Sequence, residues 1–344
     1  MTPPARVQAA IEVLDLVIAA ARANGPPADR ILADWFRARR FAGSKDRRAV
    51  RDLVYRAIRA CGPVPASGRA AMLRLAREDE ALLPLFDGSA YGPALLGSDE
   101  PAADGGIAPD WLAQKLEASG IDRAEAAALF GRAPLDIRVN RLKADRDSLD
   151  LPMGAEHTAA PDGLRLPPGS AVEQWDAFRD GAIEVQDTGS QLATLAVAAR
   201  PGETIIDLCA GAGGKTLALG AAMADRGRLI ACDTHRARLS RLPPRAARAG
   251  LTIAEPVLLD PGREAEALAQ WQGRADAVLV DAPCSGTGTW RRNPEARWRL
   301  TPAQLERYAA LQSRLLDLGA TLVAPGGRLV YATCSLLDTE GPER

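Results

Sequence analysis

The sequence has only two histidines, His157 and His235, and only four lysines, Lys45, Lys115, Lys143 and Lys215, among its 43 basic residues. Its five cysteines, Cys61, Cys209, Cys232, Cys284 and Cys334, are an odd number and contain no C-x-x-C pair. That inventory excludes a disulfide framework and leaves zinc without a ligand set, so no metal is expected. Long uncharged apolar runs are also missing. The first stretch, MTPPARVQAAIEVLDLVIAAARANG, carries Glu12 and Asp15 inside it and reads as neither a signal peptide nor a membrane span. The expected setting is a reducing cytoplasm, in which thiols are available for chemistry.

What is present is a globular composition, 47% apolar and 25% charged, in 344 residues, which is too long for one ordinary core and implies two or three domains. The charges nearly cancel, 43 basic against 44 acidic, which excludes a surface that is a polycation throughout. A local basic face remains possible, because attraction to phosphate depends on where the charges sit. Residues 1–60 hold 12 basic and 6 acidic residues, while residues 61–200 hold 13 and 22. The head is basic and the middle acidic.

From Arg6 to about Ala60 apolar residues recur at three- and four-residue spacing, as in Ile11, Leu14, Val17, Ile18 and in Val50, Leu53, Val54, Ile58. This predicts three amphipathic helices, broken at Gly25-Pro26-Pro27 and near Gly43, with Ser44 or Asp46 capping the third. Helical spacing continues over 70–85 and 108–129. The expected divisions are an all-helical domain at 1–130, a small α+β module at 131–185 and a third domain at 186–344. In that third domain apolar β-rich runs (ETIIDL, RLIACD, DAVLVD, RLVYAT) alternate with helical stretches, which predicts a parallel, doubly wound α/β sheet. Ligands in such sheets sit beyond the carboxyl ends of the strands.

The first of these strands runs into Asp207-Leu208-Cys209-Ala210-Gly211-Ala212-Gly213-Gly214-Lys215-Thr216. A P-loop would need glycine where Cys209 stands, and the dinucleotide fingerprint would need a small residue where Thr216 stands. The remaining reading is a loop for S-adenosyl-L-methionine (SAM), with the strand-end acid near the ligand's ammonium. Asp233, at the end of the next strand, is placed to accept ribose hydroxyls. On these two features a tight turn without a ligand stays open.

Two cysteines follow two further strands, in Asp281-Ala282-Pro283-Cys284-Ser285-Gly286-Thr287-Gly288 and in Thr333-Cys334-Ser335. Methylation of a pyrimidine at carbon 5 needs such a thiol, since a thiolate adding to carbon 6 makes carbon 5 nucleophilic. Asp281 beside the base would protonate or hydrogen-bond ring nitrogen 3.

These blocks, together with Gly-Gly-Lys-Thr, DIRVNRLK (136–143) and Gln186-Asp187-Thr188-Gly189-Ser190, resemble the Sun (Fmu) family of RNA cytosine-5 methyltransferases. The segment SKDRRAVRDLVYRAIR (44–59) is similar to the NusB-like RNA-binding domain of the family's 16S rRNA members. The resemblance implies a Rossmann-like class I SAM methyltransferase sheet preceded by an all-α NusB-like domain and a small α+β module. It implies Cys334 as nucleophile and Cys284 as an aid to release. It also implies a SAM site of Cys209, Ala210, Gly211, Ala212, Gly213, Gly214 and Lys215, with Asp233 on the ribose, Asp260 near the adenine and Asp281 near the methionine end and the cytosine. The chain ends at Arg344, so five strands are counted where the family has seven, and the sheet is expected to lack its last strands. Arg291, Arg292, Arg47 and Arg48 are candidate RNA contacts. Arg236, Arg238, Arg241, Arg245 and Arg248 read as a solvated helix face. The expected protein is a monomeric, cytoplasmic enzyme that methylates 16S rRNA, with no metal and no membrane partner. A tRNA methyltransferase or a non-catalytic RNA-binding assembly factor on the same fold are the alternatives.

Overall fold

The computed structural model describes all 344 residues, and the chain divides into two compact units. The first comprises Met1–Arg132, Ser285–Glu306 and Cys334–Glu343; the second comprises Ala133–Cys284, Arg307–Thr333 and Arg344. The stretches that follow Cys284 and Thr333 group with the helical head, and Trp298 of the first joins the helical core.

In the first unit the expected helices form at Pro3–Arg22, Ala28–Ala38 and Ser44–Ala60, followed by Gly68–Ala76. Leu14, Leu32, Ile58 and Met72 are fully buried between them, each burial stabilising by roughly 1.5–3 kcal/mol. The third helix is capped by Gly43, not by Ser44 or Asp46. Asp46 instead accepts from the Met1 ammonium at 3.2 Å and from Arg6 at 2.9 Å, and these partners hold its carboxyl below the ordinary value. The 3-10 turn Pro294–Trp298 is buried in the same unit. Arg297, with no exposure, donates to the carbonyls of Ile58 (2.7 Å) and Cys61 (2.6 Å), so its charge meets the negative end of the third helix. Its guanidinium also lies 4.5 Å from the Phe130 ring centroid.

The second unit contains two sheets. Strands β1 (Leu135–Val139), β2 (Glu156–His157), β3 (Gly163–Leu166) and β4 (Ile183–Val185) form an antiparallel sheet ordered β2-β3-β1-β4. Strands β5 (Thr204–Asp207), β6 (Arg228–Asp233), β7 (Ala254–Leu258), β8 (Ala275–Asp281) and β9 (Val323–Ala332) are all parallel, in the order β7-β6-β5-β8-β9. Successive residues of the central β5 pack to opposite faces. Ile205 joins Leu217, Leu219 and Leu229, while Ile206 joins Ile230, Val278 and Leu315. The sheet is thus covered on both sides, which explains its continuous apolar runs. The strand order reverses between β5 and β8, and the crevice for a ligand opens at their carboxyl ends.

The expected helix after β6 is broken. Residues 236–249 form Arg236–Leu239 and Leu242–Ala249, because Pro243 and Pro244 lack the N–H groups a helix interior requires and are tolerated in a first turn. The arginines of the second piece are not simply solvated. Arg245 and Arg248 both pair with the buried carboxylate of Glu184 on β4, Arg245 at 2.9 Å. Asn140 donates to the carbonyls of Gly181 (2.9 Å) and Ala249 (2.8 Å). These bonds fasten the antiparallel sheet to the parallel one.

Candidate active site

Strands β5, β6 and β8 each end on an aspartate. Asp207 is wholly buried; its Oδ2 accepts from Thr216 Oγ1 at 2.7 Å, and its Oδ1 is buried with no hydrogen-bond partner. Burial pushes its carboxyl up to about 7, against the lowering effect of the Thr216 hydroxyl. Asp233 is also buried, and both its oxygens are engaged, Oδ2 by the Gly211 N–H at 2.7 Å and Oδ1 by the His235 N–H at 2.6 Å. Asp281 is half-buried and forms an ion pair with Lys215, Nζ to Oδ2 2.6 Å.

The glycine loop lies among these carboxylates. Gly211 and Gly213 have φ of 58° and 86°, in the left-handed region where a side chain is strained. A Cβ on Gly211 would stand 2.5 Å from the Arg238 guanidinium, and one on Gly213 would stand 2.3 Å from Leu242. Gly213 caps the helix Gly214–Ala222, so the start of that helix points N–H groups at the crevice. Arg245 donates to the Ala212 carbonyl at 2.6 Å and Gln186 to the Gly214 carbonyl at 3.3 Å, which fixes the loop from behind. Cys209 is half-buried, and burial pushes its thiol up, as it does for Cys232. An unpartnered buried carboxylate oxygen suits a cationic ligand group, and Gly211 and Gly213 place no side chain at the two left-handed positions of the loop. The residues present therefore fit SAM, whose methionine end carries an ammonium.

The two cysteine blocks are arranged differently. Cys284, half-buried, stands three residues past β8, and Cys334, exposed, two residues past β9. The Cys334 turn belongs to the first unit, where its carbonyl accepts from the Gly288 N–H at 2.9 Å. Thr287, fully buried, accepts from the Leu336 N–H at 2.7 Å. Glu340 has no exposure; its Oε1 accepts from the Ser285 N–H at 2.9 Å and its Oε2 from the Ser285 hydroxyl. The sequence reading missed Thr216, Glu184 and Glu340. A capping-type spacing or a partnered charge would have announced them, and none is visible in the chain order.

Other expected residues are placed as follows. Asp260 is exposed, two residues past β7. Arg291 is exposed and donates to the Arg132 carbonyl at 2.8 Å, and Arg292 is exposed beside it. Arg47 donates to the Ala42 carbonyl at 2.8 Å and lies over Phe36, while Arg48 faces solvent.

A five-stranded parallel sheet with a glycine loop after β5 and acids at three strand ends defines a Rossmann-like class I methyltransferase domain, and the helical head is consistent with a NusB-like domain. Residues 194–343 match the family described as 16S rRNA methyltransferase RsmB/F, and this part of the chain belongs to that family. The chain is 39% identical over 246 residues to the probable ribosomal RNA small subunit methyltransferase B of Synechocystis sp., covering 67% of this chain and 54% of that protein. It is 34% identical over 244 residues to its Bacillus subtilis counterpart, covering 68% and 54%. The chain thus spans about half the length of these relatives. Among solved structures, that of PH0851 is similar over the whole chain and 88% of its own, with TM-score 0.75 and 25% identity. A methyltransferase homolog protein from Pyrococcus horikoshii matches 68% of this chain and 80% of its own, with TM-score 0.55 and 26% identity. No helix is long and apolar enough to cross a membrane.

Proposed function

We propose that the chain uses SAM to methylate carbon 5 of a cytidine in 16S rRNA, as a monomer in the cytoplasm. The observation that carries this reading is the exposed Cys334 thiol, in a turn hydrogen-bonded to the Ser-Gly-Thr-Gly loop that follows Cys284. Together with family membership and the names of the relatives, it favours covalent pyrimidine chemistry on RNA.

Asp207 would face the cofactor's ammonium, the loop from Cys209 to Lys215 would line its methionine part, Asp233 would hold the ribose and Asp260 would lie near the adenine. When bound, SAM supplies an electrophilic methyl group. The Cys334 thiolate would form a bond to carbon 6, pushing the ring's double-bond electrons onto carbon 5. Asp281 would relay a proton from the Lys215 ammonium, its ion-pair partner, to nitrogen 3 and so draw electrons away from carbon 6. After methylation the Cys284 thiolate would take the carbon-5 proton, and the electrons of that bond would re-form the ring double bond as the sulfur–carbon 6 bond breaks, returning Cys334 as thiolate. The target base must be unstacked for carbon 6 to be reached. Arg291, Arg292, Arg47 and Arg48 are the proposed phosphate contacts.

Incubating the intact protein with labelled SAM and deproteinised 16S rRNA, then mapping 5-methylcytidine, tests the reading. The Cys334→Ala variant should lose transfer by at least about a thousandfold, equivalent to about 4 kcal/mol of transition-state stabilisation. A Cys284→Ala variant should accumulate an RNA adduct on a denaturing gel. No transfer by the wild type sinks the enzyme reading, and equal transfer by Cys334→Ala sinks the nucleophile.

A further inference from the structure

We infer that Glu340 is the positioning residue of the Cys334 turn, acting through the hydroxyls of Ser285 and Ser335. The inference rests on the methyltransferase reading above. Burying a carboxylate is costly unless hydrogen bonds satisfy it. Here the satisfying groups are those that follow the two cysteines in the chain. The Ser285 N–H and hydroxyl both donate to Glu340. The Ser335 hydroxyl lies 3.1 Å from Ser285 Oγ and 3.3 Å from Thr287 Oγ1, and accepts from the Leu337 N–H at 3.1 Å.

The direction of this chain follows from its ends. Glu340 as a carboxylate only accepts, so the Ser285 hydrogen points at it. Ser285 Oγ is then open to the Ser335 hydrogen, and Ser335 Oγ to the Thr287 hydrogen, while Thr287 Oγ1 accepts from the Leu336 N–H. One buried charge thus orients three hydroxyls and, through them, the two backbone N–H groups that follow Ser335, those of Leu336 and Leu337. Cys334 itself is exposed. Its main chain is held instead, by the Gly288 N–H on its carbonyl and by the network on its neighbour. Gly286, with φ of 68°, makes the left-handed turn in the opposing loop that a side chain would strain, and its Cβ position lies 4.0 Å from Cys334 Sγ, in ordinary contact.

Glu340→Gln keeps the side chain's volume and changes its wiring. Its amide N–H₂ either opposes the Ser285 N–H, donor against donor, or reverses the hydroxyl chain. The second variant, Ser285→Ala, breaks the chain and keeps the Ser285 N–H bond, so it decides the question if Glu340→Gln fails to fold. Both should lower kcat for methyl transfer by about tenfold to a hundredfold with KM for SAM unchanged, the scale of a misplaced reacting group. Both should also change the rate and pH profile of Cys334 alkylation by iodoacetamide without RNA, read by peptide mass. Wild-type kcat and a wild-type alkylation profile in both variants would overturn the inference. If the wild type transfers no methyl group, the functional reading fails, and an unchanged alkylation profile would separately count against Glu340.

Discussion

Two buried carboxylates, Asp207 at the end of β5 and Glu340 beyond Cys334, are used in opposite ways. Asp207 has one oxygen on Thr216 and the other without a partner, and burial carries its carboxyl up to about 7. Glu340 has both oxygens occupied by Ser285. The first arrangement holds an unmet demand for a positive or donating group, as a ligand site does. The second spends its hydrogen-bonding capacity within the protein and yields a fixed turn. A buried acid is therefore not by itself a mark of a binding site; the state of its second oxygen distinguishes the two cases.

The largest effect separating these uses should come from Asp233→Ala. It releases the Gly211 and His235 N–H groups together, and cofactor affinity by calorimetry should fall about tenfold to a hundredfold, at roughly 1.5–3 kcal/mol for hydrogen bonds to a charged group. Unchanged affinity would mean that the loop holds its shape without the carboxylate. Next comes Glu184→Ala, which leaves Arg245 and Arg248 uncompensated behind the glycine loop. Because both arginines are partly solvated, the loss should be about 2 kcal/mol by denaturant unfolding, below the value for a fully buried pair. No loss would show that the two sheets are held by apolar contacts alone.

A third effect is a pH dependence. An unfolded aspartate titrates near 3.9, whereas Asp207 titrates at about 7 in the folded protein. Between these values the native state keeps a proton that the unfolded state has lost, so the contribution of Asp207 to the stability of the ligand-free protein is fully present below about pH 4 and is lost as pH rises through about 7. Asp207→Asn should flatten that slope in thermal melts. An unchanged slope would remove Asp207 as its source.

The parallel sheet was legible because period and composition alone distinguish continuous apolar strands from amphipathic helices, and the glycine loop after β5 was legible because its residues are consecutive. The split at Leu242-Pro243-Pro244 was visible in the prolines but was outweighed by the helical spacing around them. Glu184 and Glu340 were invisible, since each finds its partners some 55 to 64 residues away in the chain.

The sequence by itself determined the strand-and-helix alternation, the acids at the strand ends, the glycine loop and the presence of two cysteine blocks, because each is a local pattern enforced by backbone geometry. Only the tertiary structure decided which unit the blocks' neighbours join, which arginines are spent inside the protein, and which buried acid is left unsatisfied. Those depend on desolvation and pairing, and both are set by residues that meet only when the chain folds.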